Sequence, residues 1–146
     1  METIRVTTME ELQACFEVRM KVFVEEQKVP EDLEMDEKDV SPESCHHFLI
    51  MDGDQPVAAA RWYFYKQDTA KFQRVAVLAS YRGRGLGKQL IVEMEKHAQE
   101  LNAKYALLDA QVQAEGFYTQ LGYKVISEEP FYDADILHVR MQKPLS

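Results

Sequence analysis

Three glycines alternate with cations in the segment YRGRGLGK, residues 81–88. Its glycines and cations are Arg82, Gly83, Arg84, Gly85, Gly87 and Lys88. Glycine lets the backbone approach a ligand closely, and successive N–H groups at a helix N-terminus bind anions. Because an apolar run precedes the segment and a helical pattern follows it, we predict a strand, a phosphate-binding loop and a helix start.

The spacing of these glycines excludes the two common nucleotide-binding motifs. A Walker-type loop needs about four residues between its first glycine and the Gly-Lys pair, and then Ser or Thr. Here three residues separate Gly83 from Gly87, and Gln89 follows Lys88. The dinucleotide fingerprint G-x-G-x-x-G also fails, because Lys88 stands where its last glycine belongs. A solvated glycine-rich turn is the alternative that the loop alone leaves open.

A second landmark, AEGFYTQLGY at residues 114–123, follows a predicted buried strand. Phe117 and Tyr118 lie on a short predicted helix, and Gly122 fits the left-handed residue that ends such a helix. A core aromatic is the alternative for Tyr118. The two landmarks together, in this order and spacing, resemble the GCN5-related N-acetyltransferase (GNAT) family.

The resemblance covers nearly the whole chain and implies one domain, residues 1–146, with the GNAT acyl-CoA N-acyltransferase fold. That fold is a central twisted mixed sheet flanked by helices. The resemblance also implies acetyl-CoA as the acyl donor, with Tyr118 beside the CoA sulfur. The implied donor-binding residues are Val75, Ala76, Val77, Arg82, Gly83, Arg84, Gly85, Leu86, Gly87, Lys88, Gln111 and Phe117.

Two side chains are candidates for the general base that deprotonates the acceptor amine. Histidine is the residue type whose charge changes near neutral pH, and the His-x-x-Met ending that begins at His138 resembles a GNAT subgroup in which the matching histidine is the base. Glu26 lies in VFVEEQ, residues 22–27, a segment that together with Asp36 resembles YjcF-like and ElaA-like members of the family. A structural histidine and a solvated carboxylate are the respective alternatives.

The acceptor is less defined than the donor. The subgroup comparison implies that Arg19 and Arg74 bind acidic groups of the acceptor, and His47 is a candidate for the acceptor cleft. Gln111 stands where the subgroup has another arginine, so the subgroup's acceptor does not transfer to this chain. Residues 25–39 hold eight acids and two lysines, which suggests either a cationic acceptor or a solvated face.

The resemblance implies acetyl transfer to a primary amine of a small molecule. Direct transfer in a ternary complex is expected because the sequence shows no activated Ser or Cys nucleophile. By resemblance, backbone groups of Val75 and Val77 polarise the acetyl carbonyl, and Tyr118 donates to the leaving sulfur. The alternative is a non-catalytic acyl-CoA binding or sensing module, which would keep the loop but lack a working base.

The composition of the chain limits the kinds of partner that we expect it to bind. The chain is 46% apolar and 29% charged, as in ordinary globular proteins, and its net charge of −8 argues against nucleic acid. No apolar stretch has the length of a membrane span.

We expect no metal at Cys45, His46 and His47, because adjacent strand residues point to opposite faces. Without an export signal a cytoplasmic location is expected, and the resemblance adds a homodimer.

The elements that must position these residues alternate between helices and strands. Thr8 and Glu11 predict a capping box at the start of a helix that runs to Phe23. Asp52-Gly53 predicts a hairpin, and apolar side chains from Leu86 to Leu101 mark one face of the helix after the glycine loop. An antiparallel first half, followed by a βαβ crossover through that helix, predicts a mixed α/β sheet.

Overall fold

The computed structural model describes residues 1–145; residue 146, the last of the predicted single domain, lies outside this range. The strands are β1 (Thr3–Arg5), β2 (His46–Asp52), β3 (Gln55–Lys66), β4 (Thr69–Val77), β5 (Tyr105–Gln111), β6 (Lys124–Val125), β7 (Phe131–Asp133) and β8 (Ile136–Pro144). The α-helices are α1 (Met9–Arg19), α2 (Glu31–Glu34), α3 (Leu86–Glu100) and α4 (Glu115–Gln120). A π-helix spans Met20–Glu26, and 3₁₀ turns span Glu37–Asp39, Ala79–Tyr81 and Val112–Ala114.

The eight strands form one mixed sheet flanked by helices. Its order is β1-β2-β3-β4-β5-β8-β6, and β7 pairs with β8 outside this path. The β4 and β5 strands are parallel and are connected through α3, whereas the other neighbours are antiparallel. The mixed sheet and the βαβ crossover predicted from the sequence are confirmed.

The parallel strands β4 and β5 separate partway along their length. Their pairing ends at Phe72 and Leu108, whereas β4 continues to Val77 and β5 to Gln111. On its other edge β5 stays paired with β8 as far as Gln111. A wedge therefore opens in the middle of the sheet, and the end of β4 presents an edge to it that β5 does not pair.

The first helix begins where the sequence predicts but changes type before its end. The Glu11 N–H donates to the Thr8 hydroxyl, and the Glu11 carboxylate accepts from the Thr8 N–H, which confirms the capping box. The predicted continuous helix is α-helical only to Arg19 and then widens into the π-helix. The Gln27 N–H accordingly reaches the fifth carbonyl back, that of Val22, at 3.1 Å.

The core includes the inner faces of α1 and α3 and the sheet residues against which they pack. The α3 helix buries the apolar face predicted for it through Leu86, Leu90, Ile91, Met94 and Ala98. Trp62 of β3 is fully buried and donates its indole N–H to Nδ1 of His97, at 3.1 Å. No helix within residues 1–145 is long and apolar enough to cross a membrane.

Candidate active site

A cavity of about 690 Å³ occupies the wedge between β4 and β5. The glycine loop forms one part of its wall, and residues of the π-helix, α2 and the β7–β8 hairpin form another. Most of the site residues expected from the sequence line this cavity. They are Arg74, Val75, Ala76, Val77, Arg82, Gly83, Gly85, Leu86, Gly87, Lys88, Gln111, Phe117, Tyr118 and His138.

The glycine loop leaves backbone donors free at the start of α3. Gly83 and Gly85 have φ angles of 80° and 79°, in the left-handed region that other residues rarely adopt. Gly85 is the N-cap of α3, and no side chain from the described part of the chain caps it. The first N–H groups of α3 therefore remain available to an anion.

The three cations of the loop have different surroundings. Lys88 and Arg82 line the cavity, but the Arg82 guanidinium donates to both carboxylate oxygens of Glu26, at 2.7 Å each. Arg84 lies over the ring of Tyr81, 4.7 Å from its centroid, and is not among the residues that line the cavity. The backbone N–H groups and Lys88 are thus the donors that need no rearrangement to meet a phosphate.

Tyr118 of α4 places a buried phenol at the cavity. Its ring packs edge-on against Phe117 and Tyr123, with centroids 5.0 Å and 5.9 Å apart. Burial raises the pKa of the Tyr118 hydroxyl to about 12. The hydroxyl therefore stays protonated at neutral pH and can donate to a group bound in the cavity.

A contact within β8 indicates which ring nitrogen of His138 carries the proton. Its Nδ1 lies 2.7 Å from the carbonyl oxygen of Ile136. Since a carbonyl oxygen can only accept, we assign the proton to Nδ1, which leaves the lone pair on Nε2. The ring of Phe131 stacks against the imidazole at a centroid distance of 6.1 Å. An imidazole fixed in this way presents the lone pair of Nε2 as a proton acceptor.

An ion-pair network stands behind one wall of the cavity. Its members are Arg19, Arg61, Arg74, Glu34, Asp36 and Asp39. Arg61 is fully buried and donates to Asp36 at 2.7 Å and to Asp39 at 2.9 Å. Although burial favours the neutral acid, hydrogen bonds and charge from Arg19 hold the pKa of Asp39 well below its usual range. Three cations meet three anions, so the network carries no net formal charge.

This network corrects the expectation of a solvated face for three of the eight acids in residues 25–39, whereas the other five are exposed. Three of its carboxylates turn inward to pair with arginines, because segments from α1, β3 and β4 place guanidinium groups beneath them. A solvated face therefore does not describe these three acids. A charge held in the interior needs such partners, since an unpaired one is strongly disfavoured there.

Arg19 and His47 also require correction, because the structure places both behind the wall. Arg19 is 1% exposed, and its guanidinium donates to Glu34 at 2.8 Å and to Asp39 at 2.7 Å. The ring of His47 is buried, with Nε2 2.9 Å from the Lys38 carbonyl oxygen. These partners leave neither side chain at the cavity surface, so both support the wall instead of touching an acceptor.

Arg74 reaches the cavity from a bulge in β4. Arg74 and Val75 lie opposite a single residue of β3, Ala60, and Arg74 has a φ angle of 55°. Such bulges redirect side chains and are common beside active sites. The Arg74 Nε donates to the backbone carbonyl oxygen of Glu34 at 3.2 Å and lies 3.2 Å from the Glu34 carboxylate, while the side chain remains 23% exposed. Part of this guanidinium is therefore accessible from the cavity.

Glu26 is not placed as a base. It does not line the cavity, and both of its carboxylate oxygens accept from Arg82. The hydrogen bonds from Arg82 lower the pKa of Glu26, which makes it a weaker proton acceptor. While this pair holds, Glu26 is not available as the base, which corrects the prediction for the donor-free protein.

Sequence reasoning missed several residues of the cavity, among them Gln27. Gln111 donates to the side-chain oxygen of Gln27 at 2.8 Å, so an amide pair links the end of the π-helix to the end of β5. Asp133 and Ala134 of the β7–β8 hairpin also line the cavity. Gln27 ends the VFVEEQ segment, which was the one signal that pointed towards it.

Comparison with known proteins agrees with this geometry. Residues 7–145 match the acetyltransferase (GNAT) domain family. The chain belongs to the GNAT family. The GNAT chain is 42% identical over 134 residues to the uncharacterized N-acetyltransferase YjcF of Bacillus subtilis (strain 168), and the match covers 92% of this chain and 93% of YjcF.

Solved structures share the fold of this GNAT chain along almost its whole length. A Lactobacillus plantarum crystal structure with a provisional N-acetyltransferase assignment has a TM-score of 0.91 at 27% identity, covering 99% of this chain and 98% of the other. ElaA of Escherichia coli has a TM-score of 0.83 at 25% identity, covering 97% of each chain. The predicted GNAT fold and its YjcF-like and ElaA-like subgroup are confirmed. Family membership supports an acetyltransferase activity.

No metal site accompanies the cavity in the part of the chain that the structure describes. Within residues 1–145, no group of three or more His, Cys, Asp or Glu side chains could hold a metal ion. Cys45 instead donates its thiol to the Trp62 carbonyl oxygen, at 3.1 Å, and His46 packs against the Trp62 ring. These two residues therefore have structural roles in the core.

Proposed function

We propose that this GNAT domain transfers the acetyl group of acetyl-CoA to a primary amine of a small molecule, directly within a ternary complex. One observation carries the proposal. A single cavity joins an uncapped helix start, suited to a diphosphate, to the free Nε2 of His138 and the accessible part of Arg74. The family of the chain supports the same donor.

The donor end fits acetyl-CoA in shape and charge. Beyond Phe72 the β4 edge has no strand partner in β5, so an extended pantetheine arm can lie against it as an added strand would. The glycine loop offers backbone N–H groups to the diphosphate, and Lys88 adds a positive charge. Acetyl-CoA supplies the activated thioester when it is bound.

Residues of this chain supply the proton transfers in the proposed reaction. Nε2 of His138 takes a proton from the ammonium form of the acceptor, so that the nitrogen lone pair becomes available to attack the thioester carbonyl. A backbone N–H of β4 at Val75 or Val77 polarises the acetyl carbonyl. The Tyr118 hydroxyl donates to the departing sulfur. Because burial raises the pKa of its phenol to about 12, Tyr118 stays protonated and stabilises the departing thiolate through this hydrogen bond, and the proton that His138 accepts converts the thiolate to the thiol.

The cysteines support direct transfer over a covalent enzyme intermediate. Both Cys15 and Cys45 are buried, and neither lines the cavity. Burial raises the pKa of both thiols, that of Cys45 to about 11. Since the thiolate is the nucleophilic form, these side chains are poor nucleophiles at neutral pH.

We further propose that Arg74 contacts a polar group of the acceptor. It is the predicted acceptor residue that lines the cavity, and Glu34 holds its Nε while leaving part of the guanidinium accessible. Since the ion-pair network is electrically balanced, Arg74 contributes directional N–H donors more than an excess of positive charge.

The test is acetyl-CoA turnover with a panel of small amines, measured for the wild type, His138→Ala and Tyr118→Phe. Loss of a general base or acid typically lowers the rate by about 10²–10⁴-fold, and CoA affinity should change little. Tyr132→Phe is the matched control, because Tyr132 is 74% exposed on β7. Unchanged rates in both site variants would refute the assigned roles. CoA binding without turnover of any amine would favour an acyl-CoA sensing module.

A further inference from the structure

The Arg82 side chain connects three separate parts of the molecule. It begins the glycine loop, and its two terminal nitrogens donate to Glu26 at the end of the π-helix, at 2.7 Å each. Its Nε donates to the carbonyl oxygen of Val77, the last residue of β4, at 3.0 Å. All three guanidinium nitrogens are therefore engaged by the protein itself.

The Val77 carbonyl that Arg82 binds lies on the unpaired edge of β4. The next residue, Leu78, directs its N–H to the Val57 carbonyl oxygen of β3. Because successive residues of a strand point their backbone groups to opposite edges, the Val77 carbonyl points away from β3 and into the wedge. Arg82 thus covers an acceptor on the same edge that the proposed function assigns to the pantetheine arm.

We propose that Glu26 regulates donor affinity by competing with the diphosphate of CoA for Arg82. The inference rests on the proposed function, since it takes CoA as the donor. A guanidinium forms the same two-pronged hydrogen bonds with a carboxylate and with a phosphate. Arg82 is therefore shared between a resident anion and an arriving one.

The exchange requires little rearrangement. The side chains of Arg82 and Glu26 are 43% and 42% exposed, so water can replace either partner. An exposed carboxylate–guanidinium pair is weakly held. A diphosphate brings more negative charge and meets the N–H groups of the loop at the same time, so Arg82 turns to it and leaves Glu26 to solvent.

Release of Glu26 from Arg82 also affects the segment that lines the acceptor side of the cavity. Glu26 ends the π-helix, whose Val22 and Phe23 line the cavity, and the following residue is Gln27, which bonds to Gln111. In the donor-free protein Arg82 ties this segment to the glycine loop. Donor binding removes that tie, so the segment beside the acceptor becomes free to adjust after the donor is in place.

Calorimetric titration of the full chain with CoA and with S-acetylpantetheine, which lacks the diphosphate, tests the competition. Glu26→Gln removes the competing charge while keeping the shape of the side chain. We expect it to tighten CoA binding about two- to five-fold, the range implied by an exposed ion pair. S-acetylpantetheine affinity should stay unchanged. Glu25→Gln is the matched control, since it removes the same charge from the exposed neighbouring residue.

Weaker or unchanged CoA binding in Glu26→Gln would overturn the inference. An equal gain in Glu25→Gln would also overturn it, because the effect would then come from net charge. The increase in CoA affinity of Glu26→Gln over the wild type should become smaller as salt is added, since exposed charges are screened. If the wild type bound no CoA, the proposed function would fall as well, which separates that failure from failure of the competition alone.

Discussion

Substituting Arg19 with methionine asks whether this arginine supports the wall or touches the acceptor. Methionine keeps an unbranched chain of similar length but removes every hydrogen bond that the guanidinium donates. In the structure these include bonds to Glu34 at 2.8 Å and to Asp39 at 2.7 Å, made from a side chain that is 1% exposed. The two carboxylates would then share the remaining arginines of the ion-pair network.

The expected loss of stability follows from that environment. Removing one partner of a buried ion pair typically costs about 3–5 kcal/mol, because the other charge stays buried without it. Glu34 still pairs with Arg74, and Asp39 still pairs with Arg61. The cost should therefore be near the lower limit, about 3 kcal/mol. For a domain of this size that corresponds to a fall in Tm of about 6–12 °C.

Urea unfolding gives the free energy of unfolding, and acceptor titration of the folded protein gives KM. Arg74→Met is the matched variant, because it removes the other arginine that pairs with Glu34 but acts at a side chain that is 23% exposed. Arg19→Met should lose more stability, and Arg74→Met should raise the acceptor KM more. If Arg19→Met lost less than about 1 kcal/mol, the value of an exposed pair, while its acceptor KM rose sharply, the reasoning would be refuted.

Two further predictions concern the pH dependence of the free energy of unfolding and the effect of alanine at two glycines of the loop. Burial lowers the pKa of His46 and of His97 below 6.5, so the unfolded chain binds more protons below about pH 6.5. The free energy of unfolding should be level above that pH and fall as the pH drops through the folded pKa values; His97→Gln should flatten the fall in urea unfolding, and a level wild-type profile would contradict it. Gly85→Ala should lower stability by about 1 kcal/mol because of its left-handed φ. Gly87→Ala, whose Cβ would lie 3.4 Å from Phe117 and which needs no such φ, should keep its stability. Thermal unfolding distinguishes the two variants, and equal losses of stability would contradict the prediction.

The donor side of the molecule could be predicted from local sequence. Glycine spacing, the capping box at Thr8 and the apolar face of α3 depend on residues close together in the chain. Each of these signals follows from backbone sterics or helical periodicity, which short segments determine. The predicted loop residues accordingly line the cavity, with the exception of Arg84, which lies over Tyr81.

The acceptor side could not be predicted, because its organisation depends on distant contacts. Arg19 and Arg61 meet Asp39 from opposite directions along the chain, and no local pattern indicates that a carboxylate will find two buried guanidinium groups. The change from α-helix to π-helix at Met20 falls inside the apolar spacing that predicted one continuous helix to Phe23. The β4 bulge places Arg74 at a φ angle of 55°, although nothing at that position favours a left-handed backbone. The subgroup resemblance therefore implied that Arg19 binds the acceptor, and no local signal in the sequence opposed it.

The segment from Lys28 to Ser44 joins the rest of the protein mainly through charge. Its two buried residues are Glu34 and Asp39, and Leu33 and Val40 are exposed. Hydrophobic surface therefore contributes little to its attachment, and the donor-binding framework of β4, β5 and α3 packs without it. A change in the length or apolar lining of this segment would leave that framework intact as long as two carboxylates still meet the same arginines. The same framework can in this way be adapted to different acceptors with little change to its core.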